Sequence, residues 1–423
     1  MEAYATALLI AIPAFILLLI IEMAYGYFKK NQTFKTLDTV ASISSGLTNI
    51  IKDSLGLVVI LISYPFLLKH LSLLSLGTGV FTFILAFVAL DFASYWNHRL
   101  SHKINVFWNL HVIHHSSEEF NLACALRQPI SNIIGFFAIF LIPAAVLGVP
   151  DDIIKVLAPL HLFLQFWYHT KHIGKLGWIE YVLVTPSQHR VHHAINEIYL
   201  DKNLAAIFSV WDRIFGTFQE ELDDVPPVYG VLKPSNTWNP VVINFQHFVG
   251  IAKDAWRTKN WLDKLRIWIM PTGWRPEDVA AKFPIEITND PYNQVKYSTS
   301  YSNLFSVYFI GQMLFSLFGI LSMFYFYGQL ESYQHLSIGA LLVLGIFGYT
   351  SLMDRNKWAG IFEILRAGLG ITLVLLFPEA LGFPIFSEFV LGILTTYYVL
   401  TLIFTSYFAF LDKEFSLSTI QSS

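Results

Sequence analysis

Apolar residues run along this chain in long blocks rather than in the short alternating or helical stripes of a water-soluble domain. The first block covers Tyr4 to Tyr27 and is followed by Lys29, Lys30 and Lys35. A second runs from about Gly46 to Leu68 and a third from Gly79 to Trp96. Runs of about 18 or more apolar residues are long enough to cross a bilayer as helices, so each block predicts a spanning segment. Two further segments, Ile130 to Val149 and Ile153 to Trp167, are joined by Gly148-Val-Pro150-Asp-Asp and predict a hairpin. Lys155, Pro159 and His161 make its second arm imperfect. From Lys171 to about Ser302 the pattern turns polar and aromatic, with fourteen lysines and arginines, and predicts a cap outside the membrane. Four more apolar blocks complete the pattern: Leu304 to Tyr327, Leu336 to Leu352, Trp358 to Phe377 and Ile385 to Phe410. The expected fold class is all-α, a polytopic membrane helical bundle with a cytoplasmic cap.

Charge sets the expected orientation. Lysine and arginine favour cytoplasmic loops, which places residues 29–45 inside and the N-terminus outside. Two more crossings bring His98 and His102 to the inner side, where Arg99 and Lys103 agree. Later, Arg355 and Lys357 mark an inner loop, Glu331 and Glu379 mark outer ones, and Lys413 marks an inner C-terminus. The first block is too long for a signal-peptide core and has no basic stretch before it, so it reads as a retained anchor.

Composition narrows the function. The 423 residues are 55% hydrophobic and 13% charged, with a formal net charge of −3; soluble domains carry about 25% charged residues. The absence of a basic patch argues against nucleic acid. The one cysteine, Cys124, excludes an intramolecular disulfide.

Histidine spacing supplies the chemistry. Eight of the fourteen histidines fall in three short motifs: His98 with His102, His111 with His114 and His115, and His189 with His192 and His193. On a helix, positions three or four apart share a face, so each motif aims its imidazoles one way. Eight imidazoles exceed the needs of one metal and suit a pair. Asp91, seven residues before His98, predicts an orienting partner on the same helical face. Glu118, Glu119 and Asn121 after the second motif, and Asp201 and Asn203 after the third, are further candidates. Ser187 is the expected helix cap of the third motif. Phe208 to Arg213 predicts an amphipathic helix that packs on the cap or touches the membrane. Trp256, Trp261, Trp268 and Trp274 recur among basic residues, a composition suited to the headgroup layer or to packing. His161 and His172 read as structural, and His335 falls in an outer loop.

Paired metals held by histidine at a membrane surface, without cysteine ligands, point to oxygen chemistry on a lipid. An unactivated C–H bond resists acid–base chemistry, so a redox-active metal, iron, takes the hard step. Metal transport would instead distribute ligands through the membrane depth, whereas these motifs sit at helix ends on one side.

The string Asp91-Phe-Ala-Ser-Tyr95-Trp96-Asn-His98-Arg99-Leu-Ser-His102, with both HxxHH motifs, resembles the fatty acid hydroxylase and sterol desaturase superfamily. His114-His-Ser-Ser-Glu-Glu-Phe-Asn121-Leu, Ala125-Leu-Arg127-Gln and Gln165-Phe-Trp-Tyr-His169-Thr resemble its glyceryl-ether monooxygenase branch. So do Thr185-Pro-Ser-Gln-His189, Asp201-Lys-Asn203 and Trp211-Asp-Arg-Ile-Phe-Gly216-Thr-Phe. The resemblance implies two iron ions held by the eight motif histidines and His169. It also implies hydroxylation of a lipid C–H bond with O2, foremost the ether-linked carbon of alkylglycerols, releasing a fatty aldehyde. Sterol, carotenoid and fatty-acyl hydroxylases or desaturases share the three motifs and stand as alternatives. The implied reductant is tetrahydrobiopterin or an electron-donor protein, and the implied home a bacterial inner membrane or the endoplasmic reticulum. The expected divisions are an anchor at 1–45, a hydroxylase-like domain at 46–220, a cap extension at 221–302 and a C-terminal bundle at 303–423.

Overall fold

The computed structural model describes residues 2–412, so Lys413 lies outside the described residues. The chain is helical almost throughout, and helix α1 (Glu2–Phe28) opens it. Helix α2 (Thr36–Ser54) corrects the expected second crossing. It begins ten residues before the predicted Gly46 and is rich in serine and threonine. Nineteen residues give about 28 Å of helix, but α2 is not among the helices apolar enough to cross a membrane. Asp38 at its start pairs with Arg127, and Ser54 at its end accepts a hydrogen bond from Tyr327. Its polar positions face protein: Ser42, Ser44, Ser45 and Thr48 are buried. Residues read from sequence as the second half of that span instead form a turn, a two-residue strand β1 (Val59–Ile60) and helix α3 (Tyr64–Leu71).

Helix α4 (Val80–Lys103) runs on past Trp96 and carries the first histidine pair in its last turns. Short helices α5 (Asn105–Trp108) and α6 (Val112–His115) follow. The predicted hairpin is broken into strand β2 (Ile134–Gly135), which pairs in parallel with β1, a 3-10 turn, α7 (Ile142–Val146) and α8 (Asp151–Phe163). With thirteen residues α8 falls short of the ~20 a spanning helix requires, so the hairpin does not form two full-length spanning helices. Ile153, Ile154 and Leu157 of α8 pack against Ala86 and Leu90 of α4.

The third motif lies on α9 (Pro186–His192), followed by α10 (Val210–Ile214). Proline at the first helical position starts α9. Ser187 does not cap it: its hydroxyl donates to Glu180 at 2.7 Å. On and beside α10, Trp211 and Phe208 pack their rings on Phe92 and Phe87 of α4, so this segment faces protein. The cap continues with α11 (Pro240–Arg257), α12 (Trp261–Arg266) and α13 (Glu277–Lys282).

Helices α14 (Asn303–Tyr325), α15 (Ser332–Met353), α16 (Ala359–Leu376) and α17 (Glu388–Phe410) match the four predicted blocks to within a few residues. Together with α1 and α4 they are the six described helices long and apolar enough to cross a membrane, and the chain is an integral, multi-pass membrane protein. The C-terminal bundle is not a separate attachment: Phe309, Ile320 and Ile346 share one core with Ile12 of α1 and Val40, Leu47 and Ile51 of α2.

Candidate metal centre

Three histidine motifs and His169 bring nine imidazoles together. Ligand atoms of His98, His102, His111, His115 and His192 lie within 4.8 Å of one another, and so do those of His114, His169, His189 and His193. The HxxHH spacing explains the division. In the second motif the four-apart pair, His111 and His115, joins the first group while His114 turns to the second. In the third motif the four-apart pair, His189 and His193, joins the second group while His192 turns to the first. The two motifs thus interlock, and α4 adds its own four-apart pair to the first group.

Hydrogen bonds on the far side of several rings set which nitrogen points inward. Nδ1 of His98 donates to the Leu204 carbonyl at 2.8 Å, and Nδ1 of His192 to the Lys202 carbonyl at 3.0 Å. Nδ1 of His114 lies 3.3 Å from the Arg127 carbonyl, and Nδ1 of His102 lies 3.3 Å from the Asp201 carboxylate. A ring whose Nδ1 holds the proton presents Nε2 as a lone pair. Several Nε2 atoms nevertheless face one another: His98 and His111 at 2.9 Å, His111 and His115 at 3.0 Å, His169 and His189 at 2.8 Å, His189 and His193 at 3.0 Å. Nε2 of His102 and of His192 has no protein partner at all. Converging lone pairs repel unless a cation binds between them, so the donor set fits two transition-metal ions, with an all-imidazole environment suited to iron, zinc, copper or nickel.

Electrostatics agree. Burial, reinforced by neighbouring imidazoles, pushes His111, His115, His189, His192 and His193 well below the ordinary histidine range. The same causes take His114 down to about 3. The rings are therefore neutral, as ligation demands. Burial raises the Asp201 carboxyl, but hydrogen bonds from His102 and Lys103 outweigh it and hold it at about 2.

The segment from Asp201 to Leu204 acts as one orienting strap. Asp201 and Asn203 both adopt left-handed backbone, φ 57° and 52°, which aspartate and asparagine tolerate best among residues with a side chain. That winding lets the Asp201 carboxylate and the carbonyls of Lys202 and Leu204 reach His102, His192 and His98. The Asn203 side chain does not touch a histidine; it donates to the carbonyls of Gln188 and Gln219. Asp212, in the Trp-Asp-Arg string, accepts from the backbone N–H groups of Leu204 and Ala205 and so pins the strap from behind.

Asp91 is placed differently from expectation. Its carboxylate accepts from His161 at 2.8 Å, from the N–H groups of Ile207 and Phe208, and from the Trp211 indole. It therefore ties α4 to α8 and to the chain before α10 and orients no imidazole of either group. Glu118 accepts from Gln294 and the Tyr297 N–H, Glu119 pairs with Lys296, and Asn121 bonds Thr33 and Ala123. These three fasten the loop after the second motif to the cap and to the loop after α1. His172 stands outside both groups, its ring against Tyr25.

Three contributions escape a reading of side-chain types. The carbonyls of Lys202, Leu204 and Arg127 have no sequence signature beyond the left-handed aspartate and asparagine. Arg127 is held by Asp38, Ser42 and Ser116, residues scattered over the chain. Glu22 of α1 accepts from the Leu122 N–H and the Thr170 hydroxyl, beside His169; an acidic residue in an otherwise apolar span is the signal that marks it.

A cavity of about 1060 Å³ opens onto the first group. His102, His115, His192 and His193 form its floor, and Trp108, Val112, Ile195, Val231, Ile251 and Phe283 are among its apolar walls.

Comparison with known proteins matches this geometry. The fatty acid hydroxylase family covers residues 83–217, which hold all nine histidines. Alkylglycerol monooxygenases of Homo sapiens and Xenopus tropicalis are each 34% identical over 358 residues, spanning 84% and 83% of this chain and 80% and 78% of theirs. An ornithine lipid hydroxylase of Rhizobium tropici is 26% identical over 157 residues, 37% of this chain and 44% of its own. No solved structure matches. Fold and site together define a membrane monooxygenase of the fatty acid hydroxylase superfamily, with a histidine-held dinuclear metal site and a lipid as substrate. Within that class the likeness runs well past the histidine domain into the cap and the C-terminal helices. The chain belongs to the alkylglycerol monooxygenase family.

Proposed function

We propose that the protein is a di-iron enzyme that hydroxylates the ether-linked carbon of an alkylglycerol. The observation that carries the proposal is the convergence of nine imidazoles in two groups, four of them (His102, His115, His192 and His193) lining a largely apolar cavity. His98, His102, His111, His115 and His192 would hold one iron, and His114, His169, His189 and His193 the other. When bound, the pair supplies oxygen activation and the two-electron oxidation of a C–H bond. One oxygen atom of O2 enters the substrate carbon, the other leaves as water, and two electrons come from a reductant. The resulting hemiacetal breaks to a fatty aldehyde and glycerol.

The chain's own residues bind and exclude. Apolar walls at Val112, Ile195 and Ile251 take an alkyl chain and keep water from the reacting carbon, while Asp201 and the neighbouring carbonyls hold the imidazoles in one tautomer. A reduced pterin is the favoured reductant, in line with the family, and the lysine- and arginine-bearing loops favour the cytoplasmic side for the site. The anchor, hydroxylase, cap and C-terminal divisions serve as working units on the same reading.

Membranes containing the protein should consume an alkylglycerol and release its aldehyde only with both O2 and reduced tetrahydrobiopterin. Turnover of a sterol or an acyl lipid in place of the ether would reject the assignment. Protein purified without air should carry close to two irons per chain.

A further inference from the structure

We propose that the outer face of α11 and α12 lies in the lipid headgroup layer and forms the doorway through which a membrane lipid slides into the cavity. This rests on the lipid-oxygenase reading above and adds the route to the metals. On α11, Val242, Phe245, Val249 and Trp256 recur at helical intervals and make one stripe, and all four are exposed. The opposite side, with Ile243, Asn244, Ile251 and Asp254, is buried. A helix of a water-facing cap would carry polar residues along that outer stripe. On α12 and just beyond, Asp263 and Ile267 point inward, whereas Trp261, Leu265 and Ile269 are 78%, 72% and 71% exposed. An uncovered apolar face of this extent marks a binding surface.

Three observations favour a bilayer as its occupant. First, α11 starts where a spanning helix stops. The Asn239 side chain donates to the Phe347 carbonyl and the Ser351 hydroxyl near the end of α15, and the Trp238 N–H donates to Asp354 just past it. Second, the apolar stripe is rimmed by cations. Lys253, Arg257, Lys259, Lys264 and Arg266 outnumber Asp254 and Asp263, and both aspartates are engaged, by Arg275 and Arg266. Tryptophan beside surplus basic charge is the composition of the headgroup layer over anionic lipid. Third, the same helix is a cavity wall. Gln246, His247, Gly250 and Ile251 line the space above His102 and His192, and Val249 and Lys253 both line it and reach the outside. A lipid crossing this lip moves from headgroup layer to metal floor without passing through water.

The native chain has one cysteine, Cys124, and it is buried, so a cysteine placed on the surface is labelled selectively. Leu265→Cys, Ile269→Cys and, at an exposed position outside both helices, Asp223→Cys would each carry a nitrobenzoxadiazole fluorophore. The full-length protein would be studied in phosphatidylcholine–phosphatidylglycerol vesicles. Labels at 265 and 269 should emit to the blue and be quenched by lipids bearing a nitroxide near the headgroup, while the label at 223 should behave as in water. Water-like, unquenched emission at 265 and 269 overturns the proposal, as does shielding that arises only on adding a soluble protein. Leu265→Glu with Ile269→Glu should raise KM for vesicle-borne lipid about tenfold and leave turnover of a short-chain substrate in detergent unchanged. Equal loss with both substrates rejects the doorway. Bilayer-shielded labels on a protein inactive toward every ether lipid would instead support the membrane seat and reject the substrate assignment.

Discussion

The histidine domain and the C-terminal bundle both bury polar side chains among apolar helices, and they do so to opposite ends. In the bundle, Glu363 and Arg366 lie 2.7 Å apart with side chains 0% and 2% exposed, and Gln312 and Tyr397 take up further valences of the guanidinium. Tyr308 finds Thr405, and Gln312 finds Thr401. That network closes on itself. Around the histidines the outward nitrogens of His98, His192 and His102 meet carbonyls and a carboxylate, while the inward ones face each other or face nothing. Buried polarity that is complete holds helices together; buried polarity left incomplete at converging points awaits a ligand.

The contrast can be tested by breaking each side in turn. His189→Ala removes a nitrogen from the four-imidazole group. Turnover should fall by more than about a hundredfold, since even the residues that merely orient ligands cost up to that much. Metal analysis should then show no more than one ion per chain, and two retained ions would contradict the grouping. In the bundle, Glu363→Leu strands a buried guanidinium and should cost about 3–5 kcal/mol of stability, read as a lower unfolding midpoint in detergent. The double change Glu363→Leu with Arg366→Met should recover most of that loss, and iron content should stay at two throughout. Loss of iron in the double variant would show that the closed network serves the centre after all.

A subtler change is Asp201→Asn, which leaves every ligand in place and weakens the hold on the His102 tautomer. Metal affinity should drop about tenfold to a hundredfold, with an altered absorption or Mössbauer signature for one site. Smallest per step is the response to acid. His114 is ordinarily protonated below about 6.5 but resists to about 3 in the folded protein. Its folded value is depressed, so above 6.5 it is neutral in both states and its contribution is complete. As pH falls below 6.5 the unfolded chain takes up a proton the folded site refuses, and stability declines by up to about 1.4 kcal/mol per pH unit for one such group. Titration of metal release and of unfolding should both show loss beginning on the acid side of 6.5, and a centre indifferent between pH 7 and 5 would contradict it.

Much of this was readable from residue order, for physical reasons. The four C-terminal spans are written plainly because lipid demands apolar side chains on the outer face of each. The eight motif histidines are legible because ligand spacing and helix period coincide. The bounds of helix α2 are not legible from apolar patterning, since its polar face is buried against protein and serines serve as well as leucines there. Asp91 shares a helical face with His98 by count, yet it bonds across to His161 and Trp211, and nothing in the spacing distinguishes a partner along the helix from one on a neighbouring helix. The division into five and four imidazoles depends on which way each short helix is turned, a property of the assembled fold.

The interlocking of the two HxxHH motifs carries a consequence for how the protein matures. Since α6 and α9 each hand rings to both ions, the first metal to arrive fixes the pose of residues that must receive the second, and neither can depart without loosening its neighbour's grip. Loading and loss should therefore proceed in couples, and a cell short of iron would hold filled and empty molecules rather than a population of half-charged ones.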